Sequence, residues 1–498
     1  MTRGRTVLCL ILCLAAGGAA GWGAIWYVDD NTCPAIGTGT LGNPYCSIQT
    51  AIDLAQPGDT VRVAEGRYTA KLTRPLTTQA PVLPNPATAI VFMRDQVHLE
   101  GAGAGKSILD AGGQDRVAIL ENVGAGTRFQ GFTVTGGDTT SRVGDGGGLL
   151  ILYGAPVITH NTIMGNRAFY GGGMEVLYAA PEIQDNVITG NAAGNDLESG
   201  TGGGIDVAFE CSPVITHNLI TGNYVHGSGG GLALYETDAV VESNRIEGNV
   251  AELHGGGVFS APTANGVTSA ADLLGNVISM NVARSGHGGG VFASEDTGME
   301  LNTISHNRAM LGDGGGVLTL GPKGISLSDN IIDHNGAVSG GGVFFDPTSS
   351  PAVTGNDVVA NLPAEFGGAL DPSGTQGNES VDPLMINVPD FVADVQVDRF
   401  SNLVVATDGE PTRQFALGDV VEYGDDGIPR IVTQIKTAVG VPLIKLVTDP
   451  WITENDIVPH PVVLRRWGAN PSIRENFGVR ANSPIVDATG NGTKAPTL

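Results

Sequence analysis

The sequence predicts an all-β solenoid built of roughly eleven to thirteen parallel β-helical coils, and three observations predict it. A glycine run recurs, starting at Gly146, Gly171, Gly202, Gly229, Gly255, Gly288, Gly314 and Gly340, with a degenerate copy at Gly367, at intervals of 25 to 33 residues. A second ruler keeps step with it: Asn161, Asn186, Asn218, Asn244, Asn276, Asn302, Asn330 and Asn356, each followed five residues later by another Asn, from Asn166 to Asn361. Within each unit the apolar residues alternate with period two, which is the spacing of strands. The composition agrees, because 75 glycines stand against 14 phenylalanines and four tryptophans. A chain with so few aromatics builds a narrow aliphatic stack more readily than a thick core.

From the N-terminus, two arginines, an apolar run from Val7 to Ala16 and then small residues have the layout of a cleaved secretory signal over 1–24. Cleavage leaves 24 basic against 51 acidic residues, a net charge of −27, so nucleic acid is not expected as a partner, nor is a membrane span. The chain is expected to be secreted, periplasmic or on the cell surface. In that oxidising setting Cys33 and Cys46, which bracket a Gly/Pro-rich loop, are expected to pair, leaving Cys211 as an odd, buried thiol or an intermolecular bridge. Residues 46–60 have helical apolar spacing followed by Pro-Gly and suit a short helix that closes the N-terminal end of the stack.

Irregular coils are read at 58–68, 97–113 and 116–137, with the Pro-rich stretch 70–90 as an external loop between the first two. In the regular coils, positions one and three after the glycines (Leu149 and Ile151, Met174 and Val176) point inward. So do the columns that contain Ile158, Ile183 and Ile215 and, beyond the first Asn, Ile163, Ile188 and Ile220. The Asn residues are read as corner residues that take left-handed backbone and bond to like residues in the next coil. The glycines are assigned to turns where positive φ or close approach of coils excludes a Cβ. From about 389 to 467 both rulers stop, and 415–435 reads as two strands joined by an Asp-Asp-Gly turn, giving a small inserted β module or an extended cap. Residues 468–498 close the helix.

The stretch from Trp26 through Tyr68, with "DPLM" at 382–385 and "ANSPIVDATGNG" at 481–492, resembles exported right-handed β-helix proteins of the pectate-lyase-like superfamily. The resemblance implies a right-handed parallel β-helix over 25–388 with an N-terminal cap and a small C-terminal β module. It is poor for activity, since that fold hosts lyases, hydrolases, epimerases and adhesins.

Chemistry is sought on the outward face of the post-glycine strands. The second position carries Leu150, Glu175, Asp206, Ala233, Phe259, Phe292, Leu318 and Phe344. Glu175 and Asp206 fall on adjacent rungs, close enough to perturb each other or share a cation, and Phe259, Phe292 and Phe344 are a candidate stacking surface for sugar rings. The residue before the glycines gives a titratable column, His254, His287 and Asp313. The bland alternative is a solvated acidic surface for the first set and, for the column, polar residues that merely face solvent before a tight glycine turn. Gly286-His287-Gly288 matches a polygalacturonase tripeptide, but the accompanying motifs are absent and the glycines already belong to the repeat. Lyase chemistry needs a basic residue beside a uronate, yet Lys323 is the only lysine between 107 and 385, and Arg142, Arg167, Arg245, Arg284 and Arg308 are scattered. No cofactor is indicated except calcium, at the acidic loop 194–200. The leading functional reading is an exported protein that binds polysaccharide or a cell-surface glycan on its outer strand face. The alternatives are a polysaccharide lyase or glycosidase, and a structural or adhesive surface protein.

Overall fold

The structure is a computed structural model. It describes residues 23–77, 85–140, 144–195, 198–262, 270–294, 296–322, 324–383, 385–387, 391–397, 403–406, 415–424, 428–437, 443–450, 462–468 and 476–479. Residues 1–22 of the segment read as a secretory signal, Arg142, Lys323 and the closing motif at 481–492 lie outside them.

Each coil contributes one strand to each of three long sheets. The post-glycine sheet has 12 strands, from Leu72–Arg74 to Phe366–Gly368; the pre-asparagine sheet has 12, from Ile25–Val28 to Ala352–Thr354; the inter-asparagine sheet has 11, from Gly66–Tyr68 to Asp357–Val359. These strand counts fall within the eleven to thirteen coils that the repeat predicts. A fourth sheet of six two-residue strands, Arg167–Ala168 to Arg308–Ala309, follows the second asparagine. Pairing is parallel and in register, so that Ile158 sits on Ile183 and Ile183 on Ile215. Among the described residues the antiparallel exception in the long sheets is Leu72–Arg74 against Ala87–Phe92, so the ends of the stretch 70–90 read as an external loop are instead strands of the post-glycine sheet. The four predicted apolar columns are buried in one continuous core, each aliphatic side chain contributing about 1.5–3 kcal/mol.

The asparagines form two buried ladders. Asn244 is typical: its Oδ1 accepts from the backbone N–H of Asn218 at 2.9 Å and from Asn218 Nδ2 at 3.0 Å, while its Nδ2 donates to Ile215 O at 2.8 Å. One detail of the sequence reading is corrected. The left-handed residue at each corner is the one before the Asn, as at His160, Asp185, His217 and Ser243 in the first ladder and Gly165, Gly190, Gly222 and Gly248 in the second. This follows because the Asn amide must reach along the stack from the adjoining position, where the chain has already turned.

The glycine triplets divide their work. The first of each has positive φ, from 57° at Gly340 to 78° at Gly229. The second and third have no room for a side chain: a Cβ on Gly172 would lie 2.4 Å from Ala192 O, and one on Gly173 2.6 Å from Gly204 O. Both roles exclude other residues, which is why the run is three long.

The predicted helix forms at Ile48–Leu54, capped by Ser47, whose Oγ accepts from the Thr50 N–H at 3.3 Å. Its Ile48, Ala51 and Ile52 are buried in the core. Cys33 and Cys46 are joined by a disulfide across a Cα separation of 5.0 Å. Cys211 is a buried free thiol that burial pushes up to about 11. Towards the C-terminus six antiparallel strands between Phe391 and Gly468 close into a barrel around Leu403, Val405, Val421, Val432 and Leu446. Within it Val420–Tyr423 pairs with Arg430–Thr437, the hairpin read at 415–435. Met385–Asn387 and Asn476–Val479, which flank the barrel in the chain, pair with each other.

Candidate functional site

The second-position residues stack rung on rung as expected, in the order Leu150, Glu175, Asp206, Ala233, Phe259, Phe292, Leu318 and Phe344. The expectation that they line an open groove is corrected. Glu175 and Asp206 are each 2% exposed, Phe259 and Phe292 are 8% and 7% exposed, and Phe344 alone of the five is half-buried. The cause is the left-handed first glycine, which folds the preceding loop back over the strand. A Cβ on Gly171 would meet Glu175 Oε2 at 2.6 Å, and one on Gly202 would meet Asp206 Cβ at 2.6 Å. At the N-terminal end of the column Leu76 covers the outer face, packing with Ala87, Ala89, Ile119, Leu150 and Leu152.

The two carboxyls form a closed dyad. Burial raises Glu175 well above the carboxylate range, and the charges of Asp206 and Asp145 raise it further. Burial also raises Asp206, against hydrogen bonds from Thr201 and Glu175 that favour its charged form. Asp145 is pushed up to about 6 by burial, although the Arg116 charge opposes this. Glu175 Oε2, Asp206 Oδ1 and Asp145 Oδ1 have no hydrogen-bond partner. The dyad therefore shares a proton, Glu175 holding it for Asp206. Sealed from solvent, it makes no contact with a polymer on the outside in this conformation.

The phenylalanines likewise do not present open faces. Phe259 and Phe292 stack on each other at 5.0 Å and 18°, and His254 packs on Phe292 at 4.8 Å. With Ala261 and Leu318 they form an apolar strip flanked by Tyr235, Leu320 and Phe344.

The titratable column is the accessible element. His254 and His287 stack at 5.4 Å with 6° between their planes. Nδ1 of His254 accepts the backbone N–H of His287 at 3.1 Å, and Nδ1 of His287 accepts that of Asp313 at 2.9 Å. A nitrogen that accepts cannot carry the proton, so in each neutral ring Nε2 is the donor. Asp313 Oδ2 lies 3.7 Å from His287 Nδ1. Burial, and then the neighbouring His287, hold His254 below its ordinary range, so it is neutral near pH 7. Upstream the column continues through Ser228, Thr201, Tyr170 and Asp145, which bridge one another in sequence. The loops entering the strands thus carry a rail of polar side chains, one per coil, beside the apolar strip.

The basic residues weighed for lyase chemistry do not converge on this rail. Arg245 pairs with Glu247 at 2.8 Å on the inter-asparagine sheet, and Arg284 is held by Glu252 at 2.7 Å where the loops carrying His287 and His254 begin. The calcium candidate at 194–200 includes Asp196 and Leu197, which lie outside the described residues.

Two groups escaped the sequence reading. Tyr153 and Tyr178, each just past a post-glycine strand, and Phe209 within the next strand, Ile205–Cys211, stack at 4.9 and 5.4 Å. His306, Asp333 and His334 cluster on the inter-asparagine sheet. The signal for the second was present as "SHN" at 305–307 and "DHN" at 333–335, in phase with the second Asn ruler.

Residues 116–276 match the family model described as right handed beta helix region. The solenoid is a right-handed parallel β-helix. No curated protein matches the chain. Among solved structures the β-helix is similar to pectate lyase Pel9A, at 13% identity and a TM-score of 0.42, over 73% of this chain and 83% of that one. It is also similar to the A-module of Azotobacter vinelandii mannuronan C-5 epimerase AlgE4 (17%, 0.39, 71% and 99%) and to pectin methylesterase PemA from Erwinia chrysanthemi (11%, 0.28, 71% and 94%).

Proposed function

We propose that this protein binds a linear polysaccharide along the rail formed by His254, His287 and Asp313, with the buried Ser228 supporting His254 by accepting its backbone N–H. One observation carries the reading: hydrogen-bonding side chains repeat once per coil, beside a strip of aromatic edges that ends at the half-buried Phe344. A polymer with a regular repeat gains one contact per coil from such an array, while a compact ligand gains one or two. Imidazole donors and a carboxylate acceptor match hydroxyl groups, and the half-buried Phe344 at the end of the strip matches the C–H face of a sugar ring. The net charge of −25 disfavours densely anionic polymers, so neutral or sparsely charged glycans are the class of ligand. The buried dyad and the committed arginines favour binding over cleavage. The disulfide between Cys33 and Cys46 supports an exported location.

The test is a glycan and polysaccharide screen on the mature chain, followed by affinity measurement for the double variant His254→Ala, His287→Ala. Affinity for the selected polymer should fall by about 10-fold or more, because two hydrogen bonds to hydroxyls are lost. Equal affinity in the variant would remove the rail from the binding face, and no polymer bound at all would leave the structural or adhesive reading.

A further inference from the structure

We propose that His306, Asp333 and His334 form a binding site for a divalent transition-metal ion of the zinc type, on a different sheet from the glycan rail. They sit on two adjacent rungs: Asp333 ends the strand Ile331–Asp333, paired with Thr303–Ser305, and His306 and His334 follow these two strands. One donor atom from each residue lies within 4.8 Å of the other two. Two donors on one tetrahedral zinc ion stand about 3.4 Å apart, so closure needs shifts of up to about 0.7 Å from each side chain.

Three features make this more than a chance cluster. The imidazoles are held parallel, 4.9 Å apart at 8°. Each has its Nδ1 fixed, His306 by Ser305 Oγ at 2.7 Å and His334 by Asp333 Oδ2 at 2.8 Å, so the rings do not spend freedom on ordering. Asp333 is 1% exposed, and its other oxygen, Oδ1, is buried with no hydrogen-bond partner. A buried carboxylate oxygen without a donor is costly and points to a cation as its partner. His334, with 46% of its side chain exposed, gives the site an opening to solvent for the ion and a water ligand.

Both histidines occupy left-handed backbone, φ 56° and 51°, at the position before the second-ladder Asn. Earlier coils place Gly165, Gly190, Gly222 and Gly248 there, and Met280 and Ala360 are the other non-glycine occupants. The site is therefore written into two coils where the backbone itself favours glycine. Two nitrogens and one carboxylate suit zinc, nickel or copper, while calcium prefers an all-oxygen shell.

That preference for glycine supplies a clean test. In the double variant His306→Gly, His334→Gly the ligands are lost and the backbone strain is relieved, so the variant should fold and melt no lower than the parent. Zinc chloride is titrated into the full mature chain by calorimetry, with calcium chloride as a parallel arm. One zinc per chain is expected, with affinity lowered by about 100-fold or more in the double variant and lowered likewise in Asp333→Asn. Absence of stoichiometric zinc binding, equal affinity in the variants, or calcium binding that the histidine changes abolish would each overturn the assignment.

Discussion

Replacing Asn244 by Leu removes the side chain from the middle of the first ladder. It deletes both bonds that Asn244 Oδ1 accepts from Asn218 and the bonds its Nδ2 donates to Ile215 O, Glu242 O and Asn276 Oδ1. Several partners keep alternatives: Asn218 Nδ2 still reaches Ile183 O and Thr216 O, and Asn276 Oδ1 still accepts the Asn244 backbone N–H. The group left with nothing is the buried backbone N–H of Asn218. Stranding one buried donor costs about 1–3 kcal/mol, and the weakened acceptors add about 1 kcal/mol, so a loss of about 2–4 kcal/mol is expected. Urea denaturation of the mature chain, followed by far-ultraviolet circular dichroism, should show the midpoint moved down with the slope unchanged. A midpoint equal to that of the parent would mean that the ladder does not hold the coils together.

The glycines make a matched pair of predictions. Gly172→Ala should destabilise by more than about 3 kcal/mol, because its Cβ would collide with Ala192 O. Gly190→Ala should lose only about 1 kcal/mol, since it has positive φ but open space, and thermal melts of both variants compare the two directly. The carboxyl dyad predicts an unusual pH dependence. Glu175, Asp206 and Asp145 hold protons more tightly folded than unfolded, so their contribution is fully present below about pH 4 and is lost as pH rises through their folded values, about 6 for Asp145. Each such group tilts stability by about 1.4 kcal/mol per pH unit within its window. His254, lowered by burial, tilts the other way near pH 6, which is why the variants matter. Glu175→Gln and Asp206→Asn should raise stability at pH 7 and flatten its decline between pH 4.5 and 7, as read from denaturation midpoints; an unchanged profile would show that the pair is not proton-linked.

Much of the fold was legible because its determinants are local and periodic. The Asn and glycine rulers, the inward columns such as Ile158 and Ile163, and the capping helix at Ile48–Leu54 all depend on residues within one coil and its neighbour. The site was half legible for the same reason. Register placed Glu175 on Asp206 and Phe259 on Phe292, as the alignment required. Whether those outward residues meet solvent depended on the loop before each glycine run and on Leu76, whose paths no period encodes. Asp333 was overlooked for a related reason: it ends a strand at an outward phase, yet the coil corner buries it.

Hydrogen–deuterium exchange locates the glycan on the fold, by comparing the chain alone with the chain saturated by the polysaccharide that the screen selects. The account predicts new protection of backbone amides in the loops at 226–229, 252–255, 285–288 and 311–314, which carry the rail, with little change on the pre-asparagine and inter-asparagine sheets. Protection confined to the barrel strands between 391 and 468, or to the N-terminal cap, would contradict it.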